Sequence, residues 1–322
     1  MATIPMIGGT RFTGETEHMP DRTTPIKILL FGKNGQVGWE LQRSLAPLGE
    51  LIALDRQGLR YCGNLANLAG ITHTLQTIRP DIIVNAAAYT AVDQAESEPE
   101  LAFRINAGAP ELLAQQAEQI GAWLIHYSSD YVFNGSGDCP WRETDLTSPI
   151  NTYGLSKLRG EEQIRKSNCK YMILRTSWVY AARGKNFIKT ILRLAREKEQ
   201  LMIIDDQIGA PTGAELLADV TAQTIPQILG HPEKSGVYHV AAGEEISWYN
   251  YARFLLDFAH EHDIPVKVRP DAIIPVHSEA FATAAKRPLN SRLNTEKFCN
   301  TFQLCLPHWQ TGVARVLEEI YL

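Results

Sequence analysis

Residues 27–45, KILLFGKNGQVGWELQRSL, constrain this chain more than any other stretch. An apolar run at 28–31 leads into glycines at Gly32, Gly35 and Gly38, and a helical pattern follows with Trp39, Leu41 and Leu45 as its apolar members. Strand, tight turn and helix in that order predict the opening βα unit of a parallel sheet. Glycine lets such a turn close, lets backbone N–H groups approach a ligand and lets the helix sit close to the strand. The positive end of the helix dipole would then face an anion such as a diphosphate. The spacing is GxxGxxG, not GxGxxG, so the rest of the chain must separate a ligand turn from a plain chain reversal.

The following segments continue the pattern. ELIALD, residues 50–55, is a second short strand ending in an acid about 20 residues past the glycines, where an acid suits the adenosine ribose hydroxyl of NAD(H). Arg56 comes next and suits a 2′-phosphate, so the pair Asp55–Arg56 leaves NADH and NADPH both open. Residues 68–79 read as a helix stopped by Pro80, residues 81–85 as a third strand, and residues 98–119 as a long helix interrupted at Gly108 and Pro110. Between them, AAAYTAVDQAE supplies small residues beyond a strand end, where a ligand can lie close to the backbone. Residues 123–128 form the next strand and run into the polar cluster SSDYVFNG. Such a cluster at a buried strand end is costly unless hydrogen-bonded or in use.

Alternation of strands and helices over the first 180 residues predicts an α/β fold: a doubly wound, parallel, Rossmann-like sheet with a smaller C-terminal substrate lobe. The expected organisation is an N-terminal extension at 1–25 without a fold of its own, a dinucleotide-binding domain at 26–182, and a substrate-binding lobe from 183–213 and 242–322. Residues near 214–241 return to the first domain. The segment 264–294 reads as proline-rich and irregular.

Composition narrows the partners. The 322 residues are 44% apolar and 21% charged with a formal net charge of −5, which argues against nucleic acid or an anionic membrane as a partner. Five cysteines, none in a CxxC pair, argue against a disulfide framework or zinc site. With no apolar run long enough to span a bilayer and no secretory signal pattern, the expected compartment is the cytoplasm.

The chemistry centres on Tyr153-x-x-x-Lys157, with Ser129 on the preceding strand end. Four residues apart, the phenol and the ammonium share one helix face. A phenol with a pKa of about 10 is a poor acid–base group at neutral pH unless its anion is stabilised, and a neighbouring ammonium can do that. The expectation is that Tyr153 protonates a carbonyl oxygen, Ser129 binds that oxygen, and Lys157 both stabilises the phenolate and holds a nicotinamide ribose.

In this order, GKNGQVG, NAAAYT, SSDYVF and YGLSK resemble the extended short-chain dehydrogenase/reductase family. Within it, PINTYGLSKLRGE, LRTSWVY, DDQIGAPT, GVYHVAAGEEISWYNYA and RPLNSRLNT resemble the dTDP-4-dehydrorhamnose reductases, from residue 27 nearly to the C-terminus. The resemblance implies NAD(P)H-dependent reduction of the 4-keto group of a dTDP-6-deoxy-hexulose, a nucleotide-sugar substrate, catalysed by Ser129, Tyr153 and Lys157. It implies a cofactor site of Gly32, Gly35, Gln36, Val37, Gly38, Asp55, Arg56, Ala86, Ala87, Ala88 and Tyr89, shared with Tyr153 and Lys157. Thr90, Val92, Ser129, Asp130, Tyr131, Trp178, Asn186 and Arg287 fall where the family meets its substrate. Some members form homodimers around Mg²⁺, and Glu40 and Glu215, with Glu318 or Glu319, occupy matching positions. Relatives usually carry Thr at the Ser129 position and an acid at Asn64. Two alternatives share the scaffold: a non-catalytic NADP-binding regulatory subunit like that of methionine adenosyltransferase, and a sugar-nucleotide epimerase or dehydratase.

Overall fold

The computed structural model describes residues 25–322; all but the last residue of the expected N-terminal extension lies outside them. In chain order the first half comprises β1 (Ile26–Phe31), α1 (Gln36–Leu45), β2 (Gly49–Leu54), α2 (Leu68–Ile78), β3 (Ile82–Asn85), α3 (Val92–Ala95), α4 (Pro99–Phe103), α5 (Ala109–Ile120), β4 (Trp123–Ser129), α6 (Thr152–Lys166) and β5 (Lys170–Thr176). The second half comprises β6 (Val179–Tyr180), α7 (Phe187–Glu197), β7 (Leu201–Ile204), β8 (Ile208–Gly209), β9 (Thr212–Gly213), α8 (Ala214–Ile228), β10 (Gly236–His239), β11 (Ile246–Ser247), α9 (Trp248–Glu261), β12 (Ile273–Val276), α10 (Glu296–Phe302) and α11 (Trp309–Tyr321).

Six strands form one parallel sheet in the order β10-β5-β4-β3-β1-β2. Period-two alternation sends successive side chains to opposite faces. Ile28 and Leu30 join Leu41 and Leu45 of α1 and Leu217 and Ala218 of α8 on one face. Leu29 and Phe31 join Ile71 and Leu75 of α2, Leu113 of α5 and Ile164 of α6 on the other. Burial on both faces explains why the strands read as continuous apolar runs. Trp39 departs from expectation: it is 45% exposed, with the Arg183 guanidinium over its ring at 3.9 Å, and takes no part in the core.

A third core lies apart from the sheet, where Ile191 and Leu192 of α7, Leu255 and Leu256 of α9 and Val313 and Val316 of α11 meet Ile203 and Ile273. The segment expected to be irregular contains β12, paired in parallel with β7 in a separate two-stranded sheet. Pro275 hides this strand in the sequence, yet an edge position tolerates a residue with no N–H.

Because the main strands run parallel, their carboxyl ends gather on one edge, with Phe31 beside Asn85, Asn85 beside His126, and Ser129 beside Thr176. No helix among the described residues is long and apolar enough to cross a membrane, and all five cysteines are free.

Candidate active site

The glycine turn sits at this edge. Gly32 and Lys33 donate their N–H groups to the Leu54 carbonyl at 3.0 and 3.1 Å, tying the turn to β2. Gly32 has φ +88°, and a Cβ there would lie 2.8 Å from the Ala87 nitrogen. At Gly38 a Cβ would lie 2.0 Å from the Gly32 carbonyl oxygen. Gly35 differs: its Cβ would meet only one protein atom, at 3.4 Å. The protein's own packing therefore requires glycine at 32 and 38 but not at 35. The room kept at Gly35, with helix α1 starting behind it and no side chain capping its first turn, fits a dinucleotide diphosphate.

Neighbouring candidates surround the turn. Asp55 accepts from the Gln57 N–H at 2.8 Å and from Asn34 at 3.2 Å, and pairs with Lys33 at 3.3 Å. These contacts, the Gln57 bond first, hold its carboxyl below the usual range, while Arg56 is exposed beside it. Ala86 and Ala87 lie against the turn at Gly32, with Ala88 half-buried after them, and Ala86 donates its N–H to the Phe31 carbonyl at 3.1 Å. The Tyr89 hydroxyl donates to Glu98 at 2.8 Å. Val37 packs on the sheet core. The Gln36 amide oxygen accepts from Asn186 at 2.9 Å. Asn186 also donates to the Ala181 carbonyl at 2.7 Å and caps α7 through the Lys189 N–H at 3.2 Å. Its amide thus clasps the turn to α7.

The sequence brings Ser129 and Tyr153 together through a close helix contact. Asn151 caps α6 by accepting from Gly154 at 2.7 Å. A Cβ at Gly154 would lie 2.1 Å from the Tyr131 carbonyl, so only glycine lets α6 press onto the SDYV turn. Tyr131 and Tyr153 meet edge to face at 5.6 Å. Ser129 donates to Asp130 at 3.0 Å and accepts from the Tyr131 N–H at 3.2 Å. Burial pushes the Tyr153 phenol up to about 12, opposed by a hydrogen bond with Ser129 and reinforced by the Asp130 charge.

Lys157 is anchored to β4. Its Nζ, buried at 2% exposure, donates to the Tyr127 carbonyl at 2.6 Å and lies 3.3 Å from His126 Nε2. Burial draws it down to about 8, opposed by the Glu161 charge. A desolvated ammonium takes the strongest acceptor in reach, and a backbone carbonyl outbids a neutral phenol.

The substrate-side candidates sit in varied surroundings. Asp130 is buried, and loss of water raises its carboxyl to about 6 against hydrogen bonds from Ser291 and Ser129. Trp178 has φ +50° and stacks on Trp248 at 3.5 Å, with Gly209 so close that a Cβ there would lie 2.7 Å from the indole. Arg287 forms a two-pronged pair with Asp93 at 2.6 and 3.2 Å. Thr90 is exposed just before α3, and Val92, half-buried, opens that helix. Ser128 Oγ and Thr176 Oγ1, at the ends of β4 and β5, are buried without a partner among the described residues.

Several contributors escaped the sequence reading. Between α4 and α5 the chain widens into a π-turn, Arg104–Gly108, where a helix with two interruptions was expected. Asn106 within it accepts from the Tyr89 N–H at 2.9 Å and donates to the Tyr89 carbonyl and to Ser156 of α6, each at 3.0 Å. An asparagine buried inside a helical pattern was the available signal. Asn85, His126 and Asp93 carried none.

The metal expectation finds no support within one chain. Burial first, then the charges of Glu215, Glu319 and Asp219, raise the Glu40 carboxyl, against Arg43. Yet Glu40 pairs with Arg43 at 3.7 Å and Glu215 with Arg315 at 3.6 Å. Among the described residues no group of three His, Cys, Asp or Glu could hold a metal ion.

Residues 26–322 match the family described as RmlD substrate binding domain. The chain is 55% identical over 296 residues to a dTDP-4-dehydrorhamnose reductase of Escherichia coli K12, covering 92% of this chain and 98% of that one. Two solved structures superpose closely. A dTDP-4-dehydrorhamnose reductase of Clostridium acetobutylicum has a TM-score of 0.84 at 32% identity, covering 92% of this chain and 100% of its own. One of Bacillus anthracis in complex with NADP has a TM-score of 0.81 at 34% identity, covering 91% and 99%. With a parallel sheet, a glycine turn and a Ser–Tyr–Lys set in the same frame, the chain belongs to the RmlD family of dTDP-4-dehydrorhamnose reductases.

Proposed function

We propose that this protein reduces the 4-keto group of dTDP-6-deoxy-L-lyxo-4-hexulose to the alcohol of dTDP-L-rhamnose, using NADPH or NADH. The sheet domain takes the dinucleotide and the C-terminal lobe takes the sugar nucleotide. The observation that carries the reading is the Tyr153 phenol beside Ser129 at the carboxyl end of β4, one strand removed from the glycine turn. A reduced dinucleotide held by its diphosphate at that turn would supply the hydride for the carbonyl carbon.

Tyr153 provides the proton. With its pKa raised to about 12, the phenol is fully protonated at neutral pH and enters the reaction as the acid. Ser129 turns its hydroxyl from Asp130 to the same carbonyl oxygen, which lowers the cost of the developing charge. Lys157, with a pKa near 8, is mostly an ammonium at pH 7 and offsets the phenolate that Tyr153 leaves. Asp130, Tyr131 and Trp178 flank the sugar, and the Asp93–Arg287 pair borders the same opening. Glycines 32, 35 and 38, with Gln36 and Val37, cradle the diphosphate; Asp55 and Arg56 meet the adenosine ribose, one suited to each cofactor.

General-acid catalysis of this kind contributes about 10²–10⁴-fold. Purified protein is expected to consume NADPH or NADH in one-to-one proportion to added keto sugar, and Tyr153→Phe is expected to lose at least about 10² of that rate. Undiminished turnover in Tyr153→Phe would remove the mechanism. Turnover without net cofactor consumption would favour an epimerase or dehydratase, and cofactor binding without turnover a regulatory subunit.

A further inference from the structure

Behind Lys157 lies a buried chain of hydrogen bonds that the reduction chemistry does not itself require. Asn85 and His126 are each 1% exposed, on adjacent strands β3 and β4. The Asn85 amide oxygen accepts from the Ala87 N–H at 3.2 Å. That contact fixes the amide, so its Nδ2 faces His126 Nδ1 at 3.0 Å. Nδ1 must therefore accept, and the ring proton resides on Nε2. Nε2 faces Lys157 Nζ at 3.3 Å, while Nζ donates to the Tyr127 carbonyl at 2.6 Å. An ammonium has no lone pair for an N–H to meet; an amine has one.

We propose that His126, its tautomer set by Asn85, is a positioning residue for Lys157: it aims a donor at Nζ and so favours the amine over the ammonium. The proposal rests on Lys157 serving the reductive site. Its consequence is an upper pH limit for reduction set from the second row of side chains. The other charged group facing Lys157 is Glu161, one turn along α6, which favours the ammonium and is itself bound to Arg175 of β5 at 2.6 Å. The Tyr127 phenol points away, to Thr221 of α8 at 2.6 Å. Burial and the Lys157 charge hold His126 well below its ordinary pKa, so its ring stays neutral.

The first test needs neither cofactor nor turnover. Long-range proton–nitrogen spectra of the full chain with ring-labelled histidine, His126 being assigned by its loss in His126→Gln, are expected to show the Nε2–H tautomer at pH 6 to 8. An Nδ1–H or imidazolium pattern would overturn the proposal. Asn85→Asp, whose carboxylate accepts from Nδ1–H, is expected to reverse the tautomer. The second test is the pH profile of kcat/KM and the titration of the Lys157 side-chain nitrogen. His126→Phe removes the donor while keeping a ring, and both are expected to move up by about one pH unit, the size of one neutral hydrogen bond. His126→Gln, whose amide again offers an N–H, is expected to bring them back toward the wild-type position. An unmoved limb in His126→Phe refutes the inference, whereas undiminished turnover in Tyr153→Phe refutes the reading beneath it. Should His126→Phe fail to fold, the ring spectrum of the wild type decides.

Discussion

Gly35 and Gly38 lie in one turn yet respond to different demands, and a pair of alanine substitutions separates them. At Gly38 a Cβ would sit 2.0 Å from the Gly32 carbonyl oxygen and 2.7 Å from its carbon, where ordinary contact begins near 3.4 Å. Relief means moving backbone on both sides of the β1–α1 junction by more than an ångström. Overpacking of that kind costs about 3 kcal/mol, at the upper end for such substitutions, or roughly 5 °C of melting temperature at this chain length. At Gly35 φ is −72° and ψ 169°, which alanine adopts freely, and its Cβ touches one atom at 3.4 Å. Loss of chain entropy in the unfolded state and a poorer helix cap nearly cancel, so stability should change by less than about 1 kcal/mol. The room it fills is the room proposed for the diphosphate, so NADPH should bind about tenfold or more weakly, a loss of at least about 1.4 kcal/mol. Thermal melts with and without NADPH, and titration calorimetry, measure both quantities. Wild-type affinity in Gly35→Ala would refute the diphosphate seat, and an unchanged melting temperature in Gly38→Ala would refute the packing argument.

The remaining predictions concern buried polar groups. Arg175 and Glu161, at 2% and 0% side-chain exposure and 2.6 Å apart, form an ion pair whose halves cannot be left alone; Glu161→Gln should cost about 3–5 kcal/mol in urea unfolding, and Glu161→Leu with Arg175→Met should recover most of it. Asp130 is raised from 3.8 to about 6, so between those pH values the native state holds the extra proton and stability falls as pH rises through the window. Asp130→Asn should therefore gain up to about 3 kcal/mol at pH 7 and nothing at pH 4; equal gains at both would show that the charge is not the cause. Asn106→Ala removes three bonds that tie Tyr89 to α6 and should cost about 1–3 kcal/mol while lowering kcat through a displaced Tyr153. A melting temperature matching wild type would count against that clamp.

What the chain declared on its own was whatever depends on near neighbours. The apolar run before Gly32, the four-residue spacing of Tyr153 and Lys157, and the caps at Asn151 and Asn186 all act within one turn or one strand, and each can be read from local spacing. Resemblance across the motifs carried the reading on to the catalytic set. What the tertiary structure alone decided was where polar side chains spend their hydrogen bonds. Lys157 shares a helix face with Tyr153 by spacing, but its Nζ bonds the Tyr127 carbonyl and lies beside His126, some thirty residues earlier. Asn186 reaches Gln36 across 150 residues, and Arg287 reaches Asp93 across 194. Nor could the pattern reveal that Gly35 is spare to the fold while Gly38 is not, since the atoms that judge them arrive only when the turn closes. Backbone periodicity is a local property of the chain; a buried donor takes the best acceptor within about three ångströms, and folding, not sequence order, decides which one that is.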